Sequence, residues 1–172
     1  MKTLLNALFV LAFSASLFAQ STGSANQTIT AQLKKGLSIT NVGGSLAYGE
    51  IILNGSVQTP SITPGAGTSF KVVGHPNKPV TVTFSTASLT NNAWVTTNGG
   101  TNGSITFTPN VQHTGSSSTY LAPTAVTSGN AIPLVNVTGD GNLYLWVGGS
   151  LAIAAAQPHG DYTGTITMSV AY

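Results

Sequence analysis

The 172 residues carry few charges: Lys and Arg total five, Asp and Glu three, and charged groups are 5% of the chain, about a fifth of the usual quarter. All five cations are lysines (Lys2, Lys34, Lys35, Lys71, Lys78), the acids are Glu50, Asp140 and Asp161, and nearly half of the chain beyond residue 19 is Thr, Ser, Asn or Gly. Without arginine or a basic excess the chain lacks the face that nucleic acid requires. Three acids leave little for carboxylate-pair catalysis or a calcium cage, and 41% hydrophobic residues with so little charge is not a disordered composition.

The chain opens on an export signal. Lys2 precedes an apolar run from Leu4 to Leu17, broken only by Asn6, Ser14 and Ser16, and Ala19 precedes polar sequence from Gln20. This pattern predicts a signal peptide over residues 1–19, cleaved after Ala19; the run is short for a span of about 30 Å. The expected location is therefore secreted or at the cell surface, without stable membrane insertion. There are no cysteines, so neither a lipid-anchored cysteine nor a disulfide is available.

Residues 20–35 read as an N-terminal extension. A Gln-Ser-Thr-Gly-Ser-Ala stretch leads into Asn26–Leu33, where Ile29, Ala31 and Leu33 alternate with Thr28, Thr30 and Gln32. Such a strand either begins its own sandwich or adds to the open sheet edge of a neighbour. The sequence leaves both open.

Residues 36–172 read as one all-β domain. Strands are expected at 37–41, 46–53, 68–73, 80–85, 93–97, 104–108, 132–137, 142–147 and 150–155. Gly, Pro and Asn separate them, as at Gly43-Gly44, Pro76-Asn77, Gly139-Asp140-Gly141 and Gly148-Gly149. The clearest strand is the last, 161–172. Tyr162, Gly164, Ile166, Met168, Val170 and Tyr172 fall on one face, and Thr163, Thr165, Thr167, Ser169 and Ala171 on the other. No window beyond the signal keeps a helical period. Many short strands with regular turn signals predict a single antiparallel sandwich.

Candidate chemistry is sparse. His75, His113 and His159 match no local zinc spacing. Asp140-Gly141-Asn142 lacks the rest of a calcium loop and reads as a hairpin turn. Gly148-Gly149-Ser150-Leu151-Ala152 misses the last glycine of a nucleophile elbow. No catalytic residue, metal or cofactor is expected. On 143–147, Leu143, Leu145 and Val147 share one face, and Tyr144 and Trp146 the other. The two aromatics either form an exposed platform for sugar rings, with Trp94 as a candidate third member, or are covered by the fold or a neighbouring subunit.

The C-terminal third, Gly141-Asn-Leu-Tyr-Leu-Trp-Val-Gly-Gly-Ser-Leu-Ala-Ile and then Gly160-Asp-Tyr-Thr-Gly-Thr-Ile-Thr-Met-Ser-Val-Ala-Tyr172, resembles the bacterial family known as domain of unknown function 4402. Leu37-Ser-Ile-Thr, Leu46-Ala-Tyr-Gly-Glu-Ile and Phe70-Lys-Val-Val-Gly-His-Pro match its early strands more loosely, so the resemblance covers about residues 27–172. The family is similar to spore-coat-U proteins and archaic chaperone–usher pilins in its closing strand and in the apolar-Gly segment, here Tyr48-Gly49. Archaic pilins usually carry a cysteine pair, which this chain lacks. The resemblance implies an immunoglobulin-like sandwich and a non-catalytic subunit of a surface fibre. In that reading Ile29, Ala31 and Leu33 of one copy dock beside the terminal strand of the next (Tyr162, Ile166, Met168, Val170, Tyr172), with a periplasmic chaperone as a candidate further partner. The alternative is a monomeric secreted binding module, a glycan-binding adhesin, using Tyr144 and Trp146.

Overall fold

The computed structural model describes residues 27–28 and 30–172. The signal peptide and Ile29 lie outside the described residues. The chain forms two units, Met1–Leu33 and Lys34–Tyr172. The described part of the first, residues 27–28 and 30–33, is exposed and belongs to no strand or helix.

The second unit contains eleven strands: β1 (Ser38–Asn41), β2 (Ser61–Ile62), β3 (Thr68–Gly74), β4 (Pro79–Phe84), β5 (Ala87–Thr90), β6 (Ser104–His113), β7 (Thr124–Ala125), β8 (Ala131–Pro133), β9 (Val135–Val137), β10 (Asp140–Ala152) and β11 (Met168–Ala171). One helix, α1 (Asn92–Asn98), follows β5. All strand pairs are antiparallel. The larger sheet runs β1-β3-β10-β6-β5, with β2 and β9 also on β10 and β7 on β6; the smaller runs β11-β4-β8. Neither sheet closes. Their facing sides share one core: Val72, Val111, Leu143, Leu145 and Val147 from the larger sheet meet Val80, Val82, Ile132 and Met168 from the smaller. Alternation places them there, since every second side chain of a strand points inward.

Several expectations change on the sheet. Residues 93–97 are the middle of a helix, not a strand. Thr96 and Thr97, strand formers by propensity, donate their hydroxyls to the carbonyls of Asn92 and Ala93 one turn back. Gly99, at φ 78°, ends the helix with its N–H on Val95 O at 2.8 Å. Gly148-Gly149 is not a turn: the expected strands 142–147 and 150–155 are one strand of 13 residues. The glycines serve close approach instead, for a Cβ on Gly148 would lie 2.2 Å from Ile62 O, and one on Gly149 2.4 Å from Thr108 O. The expected strand 132–137 divides at buried Leu134, where the chain passes from the smaller sheet to the larger. The hairpin turn expected at Asp140-Gly141 lies two residues earlier: Asp140 and Gly141 are paired in β10, and Thr138 and Gly139, at φ 49° and 88°, make the turn, both positive as a type I′ hairpin requires.

Segment 46–53, expected as a strand, forms none. Leu46 and Tyr48 are half-buried, and so is Ile51, three residues further on. The period-2 pattern slips at Gly49, whose φ is 70°. The terminal segment keeps most of its expected face: Met168 is buried and Tyr162, Ile166 and Val170 half-buried, while Thr163, Thr165, Thr167, Ser169 and Ala171 are exposed; Gly164 and Tyr172, expected on the inward face, are exposed as well. Only Met168–Ala171 pairs as a strand, with β4. Earlier in the segment, Thr163 bridges Thr90 at the end of β5. The segment thus starts beside the larger sheet and finishes in the smaller.

Candidate assembly groove

A second apolar cluster lies toward the Ala152 end of β10. Ile105, Phe107, Leu151 and Ile153 are buried there, with half-buried Leu46, Ile51, Leu89 and Ile166 against them. The cluster is incompletely covered: a cavity of about 620 Å³ opens over Leu46, Ile51, Leu89, Ile105, Leu151 and Ile153. Glu50, His159 and Asp161 stand among its polar lining.

Two segments border this space, residues 46–53 and residues 157–162. Residues 46–53 make no main-chain hydrogen bond to the main chain of any described residue, and so leave main-chain N–H and C=O groups for another strand. In the second border Pro158 O and His159 O already accept side-chain hydrogen bonds. β11 follows that border in the chain and has β4 as its only strand partner among the described residues.

Side-chain hydrogen bonds hold the borders. Tyr48 donates its hydroxyl to Gly149 O at 2.7 Å and packs edge-on to Phe107, with centroids 6.4 Å apart; burial pushes its pKa above the ordinary 10.0. Tyr162 donates to Pro158 O at 2.7 Å and accepts from Gln157 Nε2 at 2.7 Å. Asn91, fully buried, joins three loops: its amide donates to Thr101 O and His159 O and accepts from Gly103 N–H at 2.7 Å.

The expected site residues fall in different places. Tyr162 and Ile166 reach the second cluster. Met168 and Val170 belong to the main core. Tyr172 is 43% exposed and turns its hydroxyl to Lys35 O at 2.8 Å. Ala31 is exposed, Leu33 is 85% exposed, and Ile29 lies outside the described residues. Tyr144 and Trp146 are half-buried on the face of β10 turned away from the core. Trp94 does not join them: it sits on α1, edge-on to His159 at 5.2 Å. Sequence reasoning missed Leu89, Ile105 and Ile153 as part of one opening. Their alternation signals burial, but not that the cover is incomplete. The one available sign was Gly49, which breaks the apolar alternation of 46–53.

Among the described residues no group of three His, Cys, Asp or Glu side chains could hold a metal ion, and no helix is long and apolar enough to cross a membrane.

These features define an all-β protein of open antiparallel sheets with an unfilled apolar groove. Residues 37–172 match the family described as domain of unknown function (DUF4402), and the chain belongs to it. No curated protein matches the chain.

Proposed function

We propose that the chain is a non-catalytic structural subunit of an extracellular, pilus-like fibre, exported by its signal peptide and assembled by β-strand addition. In this reading the domain is an immunoglobulin-like sandwich that lacks one strand, and the N-terminal segment of a neighbour supplies it. The observation that carries the reading is the groove: an apolar floor bordered by residues 46–53, whose main-chain groups have no main-chain partner among the described residues. A strand laid beside 46–53 would gain ladder bonds at about 0.5–1.5 kcal/mol each. Seating Ile29 and Leu33 on the floor would add about 1.5–3 kcal/mol apiece.

In this reading the acceptor is a second copy of the chain. Head-to-tail repetition of that contact gives a filament.

The test is deletion of residues 20–33 from the exported protein, with electron microscopy of the product. The deletion should abolish filaments while the domain keeps its circular dichroism spectrum. Unchanged filaments would refute the proposal.

A further inference from the structure

We propose that the outward face of the larger sheet around Trp146 binds a saccharide ring. The proposal uses a face remote from the groove floor and does not depend on the assembly reading. Strand register fixes who stands there. Trp146 lies opposite Gln112 of β6 and Ser69 of β3, and Tyr144 lies opposite Lys71. Directly opposed residues share a face, and this one points away from buried Leu143, Leu145 and Val147.

The indole is held in place. Its Nε1 donates to Thr114 Oγ1 at 3.0 Å, and Thr114 in turn donates to Ser117 O at 2.6 Å. Tyr120 stands edge-on to Trp146, with centroids 5.4 Å apart and planes 69° from parallel. Tyr120 is itself fixed, by a hydroxyl bond to Gln112 Oε1 and by packing on Gly65, where a Cβ would lie 2.5 Å from its ring. The result is an aromatic corner, with Trp146 as one side and Tyr120 as the other, set before any ligand arrives.

The surrounding groups suit a sugar better than a peptide or an ion. With its oxygen used by Tyr120, the Gln112 amide keeps its N–H₂ donors free among the described residues. Asn110 and Thr108 continue the outward side of β6, uncharged and exposed. Lys71 holds its ammonium 5.8 Å from the Tyr144 ring, an additional donor at the edge. The one carboxylate on the outward side of β10, Asp140, is paired with Lys35. A pyranose offers an apolar C–H side and a rim of hydroxyls. An indole with neighbouring amide and ammonium donors matches both, whereas a divalent cation would find no free carboxylate cluster.

The test is titration of the mature protein with neutral oligomers of glucose and of N-acetylglucosamine, and with an oligomer of galacturonate, followed by calorimetry and tryptophan fluorescence. At least one neutral oligomer should bind saturably. Trp146→Ala should weaken that binding about tenfold or more, equivalent to about 1.4 kcal/mol, and Gln112→Ala several-fold. Trp94→Phe should leave it unchanged. Gln112→Ala and Tyr144→Leu keep the test meaningful should Trp146→Ala fail to fold. Absence of binding to every neutral oligomer at millimolar concentration would overturn the proposal. So would equal affinity in Trp146→Ala, or binding confined to galacturonate.

Discussion

Tyr172, the final residue, is hydrogen-bonded to Lys35, near the point where the chain enters the domain: its hydroxyl donates to Lys35 O at 2.8 Å and accepts the His75 N–H at 2.6 Å. Lys34 lies over the same ring, 5.3 Å from its centroid. The terminal strand is thereby tied to the base of the proposed donor segment. Tyr172→Phe removes one hydroxyl and leaves two main-chain groups to water. It should lower stability by about 1 kcal/mol, read as a shift in urea midpoint. Hydrogen exchange should quicken at residues 35–38 before it changes elsewhere.

Leu33 offers a separate test. It is 85% exposed, so Leu33→Asp should change monomer stability by less than about 0.5 kcal/mol. Seated in a neighbour's apolar groove, the same carboxylate would be costly, and filament yield should fall to background. Normal filaments from Leu33→Asp would remove this residue from the interface.

Asn91 is the polar hub of the loops that border the groove. Asn91→Ala strips partners from Gly103 N–H, Thr101 O and His159 O at a fully buried site. A cost of about 3 kcal/mol is expected, measured by thermal unfolding.

Gly148 distinguishes close approach from turn formation. Gly148→Ala would push a methyl group to 2.2 Å from Ile62 O, and the backbone there cannot swing aside as a side-chain end would. The loss should exceed about 2 kcal/mol. Gly36→Ala, with nothing within 4 Å of the added carbon, should be nearly silent in the same assay.

Acid should destabilise the domain through His113. Burial holds its pKa below the ordinary 6.5, so the unfolded chain binds the proton more readily than the folded one. The neutral imidazole's contribution is complete above pH 6.5 and is lost as pH falls through that value toward the folded pKa. With only three acids in the chain, this limb should stand out in chemical denaturation between about pH 7 and 5. His113→Gln should flatten it. At the alkaline end Tyr48 acts in the opposite sense: its raised pKa means that stability declines as pH rises past 10, where the unfolded phenol ionises first.

The order of residues by itself determined the all-β class, the inward faces of β4, β10 and most of the terminal segment, and the family. These follow from local alternation, which neighbours along the chain suffice to express. The tertiary structure decided the rest. It made Gly148-Gly149 a crossing point within a strand, because a neighbouring backbone lies against it. It turned Trp94 into a helix residue, because Asn91 and Gly99 fix the ends of that segment. It also left the apolar floor at Leu89, Ile105 and Ile153 open, because 46–53 slips out of register at Gly49 and pairs with no described strand. Whether a buried face is fully covered depends on contacts between distant segments, and alternation along one segment carries no record of them.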